Sequence, residues 1–318
     1  VGGKIQGEDA MTEMRLSRRQ ALMAGASLPL AAATAGTARA AAPMPGAAMP
    51  QFHRFRLGGF EVTTLLAGTR TVEDPQTIFG LNASPEDFAA ASAANMIPAD
   101  RTQFFFTPTV VNTGSELVLF DTGLNPEGIT GVLAAASYSA DQIDKVVITH
   151  MHGDHIGGLS GEAGETFANA AYYTGQVEFD AWEMAGDETF EARVRPLAER
   201  MTFLDDGGAV ASGVTAMAAF GHTPGHMAYM LESDGRQLVI AADFANHHVW
   251  SLGYPDWEVR FDRDKEAAAA TRRRMLGMMA ADGVPFIGYH MPFPGFGFVE
   301  ARSEGFRYVP ASYQMMPG

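Results

Sequence analysis

Four metal-type side chains fall within six residues at His150, His152, Asp154 and His155, directly behind the apolar run Lys145-Val146-Val147-Ile148. The β-branched core of that run predicts a buried strand, so the cluster begins where the strand ends and a loop takes over. Two imidazoles one residue apart can reach one cation from a turning backbone, while Asp154 and His155 face a second position beside it. Such a cluster needs distant partners to close two coordination shells. Three stand out: His222 in Gly221-His222-Thr223-Pro224-Gly225-His226, Asp243 after Leu238-Val239-Ile240-Ala241-Ala242, and His290 after Val284-Pro285-Phe286-Ile287-Gly288-Tyr289. Histidine supplies only 9 of 318 residues, so this crowding is improbable for ordinary polar loops.

His150-x-His152-x-Asp154-His155 followed by Gly157-Gly158, then the Gly221–His226 stretch, Asp243 and His290, resembles the metallo-β-lactamase-fold hydrolase superfamily. The resemblance runs from about Phe55 to the C-terminus and implies a four-layer αββα sandwich. It implies that His150, His152 and His222 hold one metal, that Asp154, His155 and His290 hold the other, and that Asp243 bridges them. Asp154 and Asp243 are the candidate catalytic carboxylates. Within the superfamily the chain is most similar to the methyl parathion hydrolase-like group. That likeness rests on Phe60-Glu61-Val62-Thr63, Val111–Ser115, Asp121-Thr122-Gly123, His150-Met151-His152, His290–Gly297 and Gly305–Pro310.

The first forty residues stand apart. Ser17-Arg18-Arg19-Gln20-Ala21-Leu22 is a twin-arginine pattern, the run from Ala21 to Ala38 is alanine-rich and weakly apolar, and Ala38-Arg39-Ala40 fits a small-x-small cleavage site. We read residues 1–40 as an export signal, with 1–13 upstream of the more natural start at Met14. The expected location is the periplasm, reached by the folded protein with metals loaded beforehand. Once the signal is removed, no stable membrane insertion is expected. Residues 41–52, with Pro43, Pro45 and Pro50, read as a linker and 53–318 as one domain, with His53, at the boundary, given no role beyond the linker's end.

The whole chain carries a formal charge of −15; without residues 1–40 it keeps 17 basic and 34 acidic residues, net −17. That balance argues against nucleic acid and anionic membrane surfaces and favours a small-molecule partner. Cysteine is absent, which removes thiolate ligands, disulfides and a cysteine nucleophile. The hydrophobic tail Phe306 to Met316 could cover the core or a second subunit of a homodimer.

Along the domain, hairpins are expected over Thr107–Phe120 and Met227–Ala242, the latter turning at Asp234-Gly235. Helices are expected after Ser84-Pro85, after Ser139 with Gln142, and from Asp264 to Ala281. Hairpins with intervening helices suit a layered α/β fold.

A divalent metal lowers the pKa of bound water to about 7, so hydrolysis by a metal-bound hydroxide needs no serine or cysteine. Imidazole and carboxylate ligands favour two zinc ions per chain but admit manganese, iron or cobalt. The resemblance gives Asp121 an orienting role behind the histidine loop. His226 reads as a buried hydrogen-bonding residue, and His247 and His248 as an exposed loop pair or as a pocket border. The resemblance also places Phe104, Phe105, Phe106, Trp182 and Phe190 around the substrate, an aromatic cage suited to a neutral ester. Lactones or aryl esters lead, with organophosphate triesters as the alternative. A mononuclear iron thiol dioxygenase on the same fold stands behind both.

Overall fold

In the computed structural model residues 44–313 are described; the export-signal reading and the end of the tail fall outside them. Residues 44–50 are exposed and without regular structure. The domain starts one residue earlier than expected. His53 is not a linker residue, because Phe52–Leu57 is the edge strand of a sheet and His53 pairs with Thr64 across it.

Two seven-stranded sheets form the centre. The first runs in the order Phe52–Leu57, Phe60–Leu65, Thr109–Asn112, Leu117–Phe120, Lys145–Ile148, Ala171–Gly175, Met201–Leu204. The second runs Ala209–Ala211, Val214–Ala218, Met227–Ser233, Arg236–Ala242, Phe286–Gly288, Phe296–Arg302, Gly305–Pro310.

Period-two alternation with apolar residues on both faces explains why these strands lie inside. Val118, Phe120 and Val147 point between the sheets and meet Tyr229, Leu231, Ile240 and Phe296 of the second. Their neighbours Leu119, Val146 and Ile148 point the other way, onto Ile129 and Leu133 of the helix Pro126–Ala135 and Phe179 of the helix Gln176–Ala185. On the far face of the second sheet, Ala228, Val239 and Phe286 pack on Met275, Leu276 and Met279 of the helix Lys265–Asp282. Helix, sheet, sheet, helix is the four-layer sandwich expected above.

Local signals set the element ends. The 227–242 hairpin turns at Asp234 and Gly235, both left-handed (φ 49° and 72°), as a tight turn matching strand twist requires. Ser84 Oγ accepts from Asp87 N at 3.0 Å and Asp264 Oδ1 from Ala267 N at 2.9 Å, capping their helices. The Ser139–Gln142 box opens only a single 3-10 turn, Ala140–Gln142. The tail through Pro310 covers its own core: it is the last strand of the second sheet, with Tyr308 Oη donating to the Phe296 carbonyl at 2.8 Å.

Outside the sandwich, the ribbon Gly68–Glu73 paired with Arg101–Phe106 and the helix Pro85–Ala94 enclose Ile78, Phe79, Phe88, Phe104, Phe106 and Trp250. This layer reaches the loop after Phe286–Gly288, where Phe104 and Phe106 pack edge-on against His290.

Candidate metal centre

Parallel neighbours place the cluster. Leu117–Phe120, Lys145–Ile148 and Ala171–Gly175 run side by side, so Asp121 and the 149–155 loop leave the first sheet at one edge. His152 opens the short helix Gly153–Ile156, which carries Asp154 and His155. From the second sheet, His222 lies in the 219–226 loop, Asp243 follows Arg236–Ala242, and His290 follows Phe286–Gly288.

All seven expected ligands meet. His150 Nε2 and His222 Nε2 lie 3.0 and 3.1 Å from His152 Nδ1. For metal–nitrogen bonds of about 2.0–2.1 Å, a tetrahedral edge is about 3.3 Å, so these three atoms are spaced to share one cation. On the other side, His290 Nε2 is 3.3 Å from Asp154 Oδ2, and His155 Nε2 is 3.7 Å from the same oxygen. Asp243 lies between, with Oδ2 at 3.0 Å from His290 Nε2, 3.6 Å from His222 Nε2 and 4.0 Å from His150 Nε2. Its Oδ1 and His155 Nε2, 3.6 Å apart, are buried and have no hydrogen-bond partner. Two orphaned groups facing each other beside a triad of converging nitrogens fit divalent metal binding.

Charge divides the centre. Burial and the neighbouring imidazoles push His150 well below its usual range, and burial with His222 takes His152 down to about 3. Both are neutral and ready to ligate at neutral pH. Burial also acts against charge on His155 and His290, but nearby carboxylates overcome it. Asp121 and Asp243 raise His155 well above its usual range, while Asp243 and Asp154 raise His290 to about 10. Despite burial, His155 and His290 hold Asp154 down at about 2.

Outer partners aim the rings. Asp121 Oδ2 accepts from His155 Nδ1 at 2.8 Å while its two oxygens also receive Thr149 N and Oγ1, both at 2.9 Å. A carbonyl can only accept, so the 2.8 Å contact to Phe105 O fixes the proton of His290 on Nδ1 and leaves Nε2 for a metal. His226 Nε2 accepts from Asp243 N at 3.0 Å, which makes it a buried positioning residue.

Three contributors were missed in the sequence. Asp262 accepts from His222 Nδ1 at 3.0 Å and pairs with the buried Arg272 at 2.7 Å. Glu178, fully buried, receives Met151 N, Trp182 Nε1, Thr223 Oγ1 and Gly225 N at 3.0, 2.6, 2.7 and 2.9 Å. Tyr289 covers His155 with ring centroids 3.9 Å apart and donates to the Asp154 carbonyl at 2.5 Å. Only Tyr289, adjacent to His290, sits beside a legible motif.

A cavity of about 470 Å³ opens over the centre, lined by His152, Asp154, Asp243 and His290 at the cluster and by Phe104, Phe106, Val72, Ile78 and Phe261 along its walls. Of the five expected aromatics, Phe104 and Phe106 line it. Strand alternation turns Phe105 to the opposite face of the ribbon, where it borders a second cavity with His247 and His248. His247 is buried, its Nδ1 accepting from Val249 N and Trp250 N, so the exposed-pair reading is corrected. Trp182 bonds Glu178 and lies edge-on to His152 at 5.7 Å without lining the cavity. Phe190 is wholly inside the core against Phe179. Arg70 and Arg260 line the cavity and were not anticipated.

A sequence profile described as "Metallo-beta-lactamase superfamily" matches residues 107–282. Among solved structures, "AidC, a Dizinc Quorum-Quenching Lactonase" is 24% identical with a TM-score of 0.75 over 83% of this chain and 98% of its own. The "hydrolase AbOPH in beta lactamase superfamily" is 22% identical with a TM-score of 0.76 over 84% and 100%. "Uncharacterized protein YobT" of Bacillus subtilis (strain 168) is 26% identical over 42% of this chain and 59% of its own length. The chain spans about half the length of the curated relatives it matches.

Proposed function

The chain belongs to the metallo-β-lactamase superfamily, whose profile covers more than half of it, and on that premise we propose a metal-dependent hydrolase of small-molecule esters. Lactones or aryl carboxylesters are the proposed class, and two divalent ions, zinc foremost, the proposed cofactors. The observation that carries this reading is Asp243, whose carboxylate sits between a three-histidine triad and the Asp154–His155–His290 group at the floor of an apolar cavity. The likeness to AidC, described as a dizinc lactonase, supports the same class.

When bound, the ions would lower the pKa of a coordinated water toward about 7 and polarise the ester carbonyl. His150, His152 and His222 would hold one ion, and Asp154, His155 and His290 the other. Asp121, Asp262 and the Phe105 carbonyl keep the ring nitrogens of His155, His222 and His290 turned toward them. Phe104 and Phe106 pack edge-on against His290 with centroids 5.2 and 5.5 Å away and exclude water from the side where an acyl or aryl group would lie. Asp154 is 23% exposed, more open to the cavity than the 4% exposed Asp243. It is therefore the carboxylate placed to exchange a proton with a departing alcohol.

The test is elemental analysis of the purified protein with initial rates on a lactone, an aryl acetate and a dialkyl aryl phosphotriester. Two equivalents of zinc-like metal and fastest lactone or aryl-ester turnover are expected, with turnover abolished in His152→Ala. A dominant phosphotriester rate would move the substrate to the methyl parathion hydrolase-like alternative. One equivalent of iron without hydrolysis, or full activity in His152→Ala, would overturn the reading.

A further inference from the structure

Arg70 and Arg260 reach the cavity from segments far apart in sequence. Arg70 lies on the ribbon strand Gly68–Glu73, opposite Phe104 and two residues before Val72, so alternation turns all three to the cavity. Arg260 follows Val259, which bridges to Phe79; its backbone N–H donates to the Ile78 carbonyl at 2.8 Å and its guanidinium lies 5.1 Å over the Phe261 ring. Arg195, Arg200, Arg272 and Arg273 each hold a carboxylate. Among the described residues, Arg70 and Arg260 have no acid partner, a state they share with the exposed Arg56, Arg101, Arg236 and Arg263, and what sets the two apart is that they line this cavity. The acids lining their cavity are Asp154 and Asp243, both within the imidazole cluster.

In a chain of net charge −15, two unneutralised guanidinium groups in a cleft with a cation site at its floor make a local field that favours an anion. The remaining walls are Val72, Ile78, Phe104, Phe106, Leu124 and Phe261, which suit an apolar body. A planar guanidinium matches a carboxylate in two-point contact and cannot be discharged at working pH. Resting on the hydrolase reading above, we infer that the substrate carries a carboxylate at the opposite end of an apolar body from its ester, held by Arg70 and Arg260. This departs from the neutral substrate that an aromatic cage alone suggested. The reaction is otherwise ordinary hydrolysis: water adds across the acyl carbon–oxygen bond, and acid and alcohol leave.

The test uses zinc-loaded protein and two esters of equal chain length, mono-para-nitrophenyl glutarate and para-nitrophenyl pentanoate, with and without the terminal carboxylate. The glutarate ester should have the higher kcat/KM, on the order of tenfold for charge-assisted hydrogen bonds. That ratio should fall toward one in Arg70→Gln/Arg260→Gln, whose side chains are exposed and give up one packing contact, that of Arg260 over Phe261. Calorimetric binding of phenylbutyrate against phenylbutyramide gives a second readout, with the carboxylate preferred by the wild type and not by the double variant. Hydrolysis of both esters at equal kcat/KM, or a preference untouched in the double variant, would overturn the inference while leaving the hydrolase reading intact. Hydrolysis of neither would sink that reading, and the binding comparison would then decide the arginine site alone.

Discussion

Glu178 shows how much of this centre hangs on one residue that holds no metal. Its four donors come from the 149–155 loop, from its own helix and from the 219–226 loop, so a single carboxylate ties together the backbones that carry His150, His152 and His222. Glutamine there keeps the shape but offers one acceptor oxygen and turns an NH2 toward two donors. Glu178→Gln should therefore lose about 1–3 kcal/mol in urea unfolding at neutral pH and bind zinc more weakly by calorimetry. The pH dependence has a definite sign. Burial raises the Glu178 carboxyl above its usual 4.5 against the pull of its four donors, so the folded state holds this proton more tightly than the unfolded chain. Its stabilising share is complete below 4.5 and is lost as pH rises through the raised value. The stability gap between wild type and Glu178→Gln should narrow over that rise; a widening gap would show that the donors outweigh burial. Nothing local announces Glu178 in the sequence. It is one of several acids in Gln176–Ala185, and three of its partners lie 27 to 47 residues away.

At the scale of elements, the 219–226 loop and the long helix position each other. Asp264 N donates to Gly221 O and Arg263 N to His222 O, both at 3.0 Å, so the helix starts against the loop that presents His222. Gly221 adopts φ 124°, and a Cβ there would meet Ala268 N at 2.2 Å, inside the first turns of the helix. Gly221→Ala must push loop and helix apart or abandon its backbone conformation. We expect a loss of roughly 2–4 kcal/mol in stability, with a drop in zinc affinity larger than that of a distant glycine substitution such as Gly277→Ala. Equal effects at both positions would remove the argument. Elements defined by local chemistry were legible: the Asp234-Gly235 turn and the Ser84 and Asp264 caps are written in two to four residues. What sequence could not say is which face an aromatic turns. Trp182 and Phe190 were expected at the substrate, but both belong to helices whose apolar faces are claimed by the first sheet. Phe105 was lost to the other side of its ribbon by one step of alternation.

Across the whole molecule the ligands divide between the two sheets. His150, His152, Asp154 and His155 leave the first, while His222, Asp243 and His290 leave the second. Each ion would therefore link the two halves of the sandwich as well as local loops. The sandwich does not depend on that link to close, because Phe55, Val62, Phe120, Tyr229, Leu231, Ile240 and Phe296 already form an apolar layer between the sheets. A ligand that binds only the folded state adds about 2.7 kcal/mol at a hundredfold excess over its Kd. For a chain of this size that raises Tm by roughly 5–10 °C. Chelation should accordingly lower Tm by that amount while leaving one cooperative transition and an intact near-ultraviolet dichroism signal from the buried tryptophans. Separate transitions after chelation would mean that the metals, and not the apolar layer, hold the sheets together. The candidate ligand residues stood out because metal chemistry restricts the residue types allowed, and the superfamily resemblance supplied their grouping. The layer that makes them meet could not, since it depends on long-range pairing between strands that are individually unremarkable runs of valine, leucine and isoleucine.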